Sequence, residues 1–292
     1  MVFKRSLKCI WIFLLMAAGF YSCANSLHLA NRFVVDESDI HVLVLPPPGI
    51  IKTFFPEHPD SIAGESLPEI DESKIRFVNQ VEDDVFISVF FNSLEEKLER
   101  LSVKMYGIDE MDAFFKLEER AYIFMIAQME LLEYIDEELF VARDGNINYV
   151  RREPVTVLEN NIWFEFMKLN DADFGMEVLF SVHATSDFVE GRFIRRSSGE
   201  VLFDANRYLL TQEDLNELAQ FSGRQNAQNI FDYLMNLFVR EKTGREPAVY
   251  YHYDLEEHII RPQDQPGFIR IGVSEQTETE PFDLDPADEA ID

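Results

Sequence analysis

The stretch AYIFMIAQMELLEY (Ala121–Tyr134) and the segments behind it, Val155–Leu169, Met176–Phe188, Gly191–Ile194 and Glu200–Tyr208, decide the fold. They read as successive strands, several of them joined by plain turn residues. Asp144-Gly145-Asn146 is one such turn and Ser197-Ser198-Gly199 is another. Across the second, Arg192-Phe193-Ile194-Arg195 faces Glu200-Val201-Leu202-Phe203 as a β-hairpin. Strands linked this way build a mainly antiparallel sheet.

Toward the N-terminus, Ile40–Leu45 (IHVLVL) reads as a buried strand stopped by Pro46-Pro47-Pro48-Gly49. Ile50–Ile70, with Pro56, Pro59 and Pro68, reads as a long surface loop. From Asp84, Phe86, Phe90, Leu94, Leu98 and Leu101 recur at helical spacing, with Glu95, Glu96, Lys97 and Glu99 on the other face. The preceding Ile75–Val81 fits a helical extension and a strand equally. Val103–Gly107 is then a second strand, so the order opens like a βαβ unit with a long crossover, and a short helix follows around Met111–Leu117. Toward the C-terminus two helices are expected. Thr211–Gly223 begins with a capping box closed by Asp214, and Gln225–Lys242 places Ala227, Ile230, Phe231, Leu234, Leu237 and Phe238 on one face. Arg224 between them is positioned to cap the first helix's carbonyls. Tyr250–Tyr253 and Phe268–Val273 read as edge strands. The fold class is therefore α+β: a mixed, mainly antiparallel sheet with amphipathic helices packed on it, in one globular domain over residues 40–273.

The two ends of the chain carry a different message. Met1–Ser22 has the parts of a secretory signal: Lys4, Arg5 and Lys8, the apolar Cys9–Tyr21, then small residues Ser22, Cys23 and Ala24. The apolar stretch is shorter than the ~20 residues a bilayer-spanning helix needs. Cleavage before Cys23 competes with cleavage before Asn25. Cys9 leaves with the signal, so Cys23 is the only thiol a mature chain keeps and no internal disulfide can form. Gly19-Phe20-Tyr21-Ser22-Cys23 resembles the lipobox of bacterial lipoproteins, in the looser form found in the Bacteroidota, with Phe20 where a small aliphatic residue is usual. The resemblance implies a lipidated Cys23, a tether over 23–39, and attachment to the bacterial cell envelope. Ala24–Phe33 lacks the acidic surface-export signal of such lipoproteins, which points to the outer membrane facing the periplasm. At the far end Ser274–Asp292 is acidic without a basic residue and reads as a disordered tail.

Composition excludes several function classes. The chain has 54 acidic and 26 basic residues, and losing the signal's three cations takes the formal charge from -28 to -31. Nucleic acid is thus no partner, because binding a polyanion needs a concentrated basic surface. Neither a Gly-x-Ser-x-Gly nor a Ser-x-x-Lys hydrolase motif occurs, and no thiol remains to act as nucleophile. His252 and His258 stand six apart, the wrong spacing for a zinc site, and no glycine-rich phosphate cradle precedes a helix. No metal, cofactor or catalytic residue is assigned. Two carboxylate pairs merit naming for glycan chemistry: Glu130 with Glu133, and Glu159 with Glu165 flanking Trp163, where Trp163 and Phe164 offer stacking faces. The doublets Arg151-Arg152 and Arg195-Arg196 lie beside turns, as solvated residues with acidic neighbours or as a contact patch for an acidic partner or anionic glycan.

A strand ending in Leu45-Pro46-Pro47, an amphipathic helix, and a hairpin built on Ser198–Phe203 before closing helices are together similar to the lipoproteins related to the curli-secretion pore subunit and to penicillin-binding-protein activators. That resemblance implies a sandwich layout and an assembly role. The function expected is a noncatalytic protein-binding or scaffold component among envelope proteins. The alternative is a carboxylate-dependent glycan hydrolase, or a glycan-binding module, around Trp163.

Overall fold

The computed structural model describes residues 26–35, 40–59, 75–118, 120–171 and 174–271. Cys23, the signal segment, residues 60–74 and the acidic tail lie outside the described residues. Residues 26–35 form a helix, α1, whose Ala30 and Phe33 are buried in the main core. The tether expected over 23–39 is therefore part of the domain from residue 26: Phe33 packs edge-on against Phe231, 5.5 Å between centroids, and water exclusion holds it there.

The sheet is mixed and mainly antiparallel, with helices packed on it. Its backbone is one long hairpin, β4 (Ala121–Asp144) and β5 (Ile147–Lys168), turned by Gly145 and Asn146. Gly145 has φ +60°, which only glycine adopts without strain and which a type II′ turn requires at this place. β1 (Ile40–Leu45) runs parallel to the first part of β4, and β2 (Ile50–Phe55) parallel to the next part. Pro46–Gly49 therefore does not open a surface loop; the chain jogs and rejoins the same edge. Opposite the jog β4 carries an extra residue, Ala127, between the pairs Ile126–Phe164 and Gln128–Trp163. This bulge flips the alternation, so Tyr122, Phe124 and Ile126 face the core before it and Met129, Leu131 and Glu133 after it.

Residues Val78–Gln80 make one 3-10 turn, neither of the alternatives read from the sequence. Then α2 (Asp83–Arg100) buries Phe86, Phe90, Leu94 and Leu98, the stripe its periodicity announced. β3 (Val103–Tyr106) returns parallel to β1 and completes the βαβ unit. α3 (Met111–Phe114) covers one end of the opposite sheet face, with Phe114 buried against Leu43 and Tyr106. β6 (Glu177–Ser186) pairs with β5, and β11 (Ile269–Ile271) closes the edge against β6.

The C-terminal helices are one helix. α4 spans Gln212–Thr243, begins with the Thr211–Asp214 capping box and ends at Gly244 in the left-handed conformation. Gly223 is a crossing point, because a Cβ there would meet the Phe90 carbonyl at 2.3 Å. Its missing side chain lets the α2 and α4 backbones approach each other, and Arg224 lies within the helix rather than at its end. β9 (Tyr250–Asp254) and β10 (Ile259–Gln263) form a small ribbon against α4.

Candidate functional site

Among the described residues, no other strand joins the long hairpin beyond Tyr134 on β4 and before Val157 on β5. At ~3.3 Å per residue it projects ~30 Å past the sheet as an arm. One face of the arm is covered by a second hairpin, β7 (Phe188–Arg195) with β8 (Val201–Tyr208), a separate layer whose register is one residue from that implied by the sequence: Arg195 faces Val201 rather than Glu200, because Arg196 and Glu200 close the turn. Between the layers Phe140 meets Phe203 at 5.1 Å and Tyr149 meets Phe193 at 5.9 Å. Gly191 makes room for this, since a Cβ would stand 2.3 Å from the Phe203 ring.

All four arginines singled out from the sequence sit on this arm or on the second hairpin, each with a carboxylate. Arg151 Nε donates to Glu153 at 2.6 Å and Arg152 to Glu137 at 2.8 Å. Arg195 pairs with Asp144, and Arg196 lies 3.9 Å from Glu200. Arg207 also reaches Glu153, which is buried between two guanidiniums. The hydrogen bond from Arg151 holds Glu153's carboxyl below its usual range, and Arg207 adds to that effect. Arg195 and Arg207 thus stitch the second hairpin to the arm, Arg151 bonds within β5, and Arg152 lies on the outer face.

That outer face is the alternate set on the two strands: Glu137, Leu139, Val141 and Arg143 on β4, paired with Pro154, Arg152, Val150 and Asn148 on β5. Leu139 is 55%, Val141 62% and Val150 58% exposed. Three aliphatic side chains thus form one cross-strand cluster open to water.

Two buried carboxylates fix the base of the arm, and sequence reasoning assigned neither this role. Glu133 is wholly buried and accepts the backbone N–H groups of Arg76 at 2.7 Å, Phe77 at 2.8 Å and Val78 at 3.0 Å. Asp187, where the chain leaves β6 for β7, accepts the N–H groups of Thr156 and Leu210 and the Arg76 guanidinium at 2.7 Å. Burial pushes the Asp187 carboxyl up, but these donors outweigh it and hold it below the usual range. The signal for Glu133 was an acid in phase with Met129 and Leu131, visible once the bulge is known.

The glycan candidates are dispersed. Glu130 and Glu133 point to opposite faces of β4, since Glu133 lies in the core and Glu130 accepts from Thr53 on the open face. Glu159, Trp163 and Glu165 share that open face, and Trp163 packs on Phe180 at 4.9 Å. Six residues of strand put Glu159 and Glu165 ~20 Å apart at Cα, beyond the ~5–10 Å of a glycosidase pair. Glu159 accepts instead from Tyr134 at 3.5 Å.

His252 and His258 do not converge either. His252 Nδ1 lies 2.6 Å from Asp232 of α4, while His258 bonds the Tyr253 hydroxyl from the other side of β9. Among the described residues no group of three His, Cys, Asp or Glu is arranged to hold a metal. Tyr233, Tyr250, Phe268 and Pro247 line a small cavity of about 100 Å³, where Arg240 and Arg270 are both neutralised by Glu177 and Glu246. No described helix is long and apolar enough to cross a membrane. No protein-family model matches this chain, and no curated protein matches its sequence.

Proposed function

We propose that this chain is a noncatalytic protein-binding component of the bacterial cell envelope, held to the outer membrane by a lipid on Cys23 and presenting the β4–β5 arm to its partner. One observation carries the reading: the arm's outer face sets Leu139, Val141 and Val150 in water at the end of a stiffened two-layer projection. Burying three such side chains contributes roughly 1.5–3 kcal/mol each, a driving force suited to protein contact. The backbone edges beside them, which no described strand pairs, offer main-chain hydrogen bonds to an incoming strand.

A photo-crosslinking residue at Val141 in the full-length chain tests this in intact envelopes, with Asp109, exposed at the far end of the sheet, as the control position. A discrete protein adduct from position 141 and none from 109 supports the reading. A folded chain giving no protein adduct from position 141 overturns it.

A further inference from the structure

We infer that the arm's partner is a second copy of this chain, joined by antiparallel pairing of the two β4 edges about Phe140. This rests on the protein-binding reading above and deepens it. Among the described residues β4 has no strand neighbour from Ile135 to Asp144 on the side away from β5. β5's own free edge is blunted by Pro154, which has no N–H to give, whereas no proline interrupts β4 there.

The register follows from the sequence of that edge. A two-residue turn makes Asp144–Ile147 a bonded pair, so even-numbered residues of β4 bond β5 and odd-numbered ones direct N–H and C=O outward. Pairing β4 with its copy about Phe140 sets residue 137 opposite 143 and residue 139 opposite 141, all odd. Glu137 then meets Arg143 twice across the dyad, and Leu139 meets Val141 twice. The four side chains already share the outer face, so the two aliphatic patches merge into one. Asp136 falls opposite Asp144, which Arg195 neutralises from the second hairpin.

Charge distribution says why a strongly acidic chain meets its copy here. Residues 135–156 and 188–208 carry seven Arg against eight Asp or Glu, while the rest of the chain carries 19 basic against 46 acidic residues. The arm is close to neutral, and it holds two copies apart everywhere else by its length. The rest of the chain carries a net charge of the same sign in both copies, so on average contact through it is opposed.

Sedimentation velocity of the full chain in detergent, over a concentration series, tests this with Glu137→Arg, Arg143→Glu and the double exchange. The wild type should be a dimer, each single exchange should weaken association at least about tenfold by opposing like charges, and the double exchange should restore it. A monomeric wild type overturns the inference, and so does a double exchange as weak as the singles. If the wild type is monomeric yet position 141 still crosslinks to a different protein, the second copy is wrong and the protein-binding reading stands; with no adduct at all, both fall.

Discussion

At the scale of single residues, buried ionisable groups organise this molecule. Glu133→Ala would strand the N–H groups of Arg76, Phe77 and Val78, and buried donors left unpaired cost roughly 1–3 kcal/mol each. Urea unfolding should show a loss of about 3 kcal/mol or more, with the same change at the exposed Glu137 of β4 near neutral, since its ion pair with Arg152 is solvated. Two histidines give stability an optimum in pH. His252's pKa is raised, first by its hydrogen bond to Asp232, and burial raises Asp232 as well, with Asp254 and Lys97 also facing the ring. Stability from His252 is complete below about pH 6.5 and is lost as pH rises through its folded value. His183 is the converse: burial against Phe221 and Asn226 lowers it to about 4. Its contribution is complete above about 6.5 and is lost as pH falls toward 4. Melting temperature should therefore fall on both sides of roughly pH 6.5, His252→Gln flattening the alkaline limb and His183→Asn the acid limb. A variant whose profile keeps the wild-type shape would remove that histidine from the account.

Among elements, α4 and the arm depart most from what local pattern implies, and both departures turn on glycine. Gly223 reads as a helix stop, since glycine ends many helices. In place it is a contact, and the helix runs on because its interior is packed on the sheet, α2 and β9. Ala at a mid-helix glycine ordinarily stabilises by about 1 kcal/mol. Here the new methyl meets the Phe90 carbonyl at 2.3 Å, and overpacking costs typically 1–3 kcal/mol, so Gly223→Ala should destabilise on balance. A measured gain would show that α2 yields freely. The arm depends on Phe140 and Phe203 meeting between its layers, and truncating Phe203 to Ala should cost about 3 kcal/mol. Amide exchange should then quicken in β7 and β8 while β4–β5 near the sheet keeps its protection.

For the whole molecule, the proposed lipid anchor is what would place the projecting arm at a membrane as an adaptor. Cys23→Ala should abolish lipid labelling and release the chain from membranes; retention without label would remove the anchor from the proposal. The sequence by itself determined the α+β class, the βαβ opening, the stripe on α2, the capping box at Thr211 and both hairpin turns, because each is set by periodicity or turn chemistry within a few residues. Arg151, Arg152, Arg195 and Arg196 were also visible as anomalies in an acidic chain. Tertiary structure decided what depends on distant partners. Pro46–Gly49 became a jog only because β4 offers a bulge opposite it. Glu133 became a clamp because that bulge turns it inward, and Glu159 and Glu165 were separated by lying along one straight strand. The arm's outer face was hidden for the same reason: alternation tells which residues share a face, and only the reach of neighbouring strands and helices decides whether that face meets a core or water.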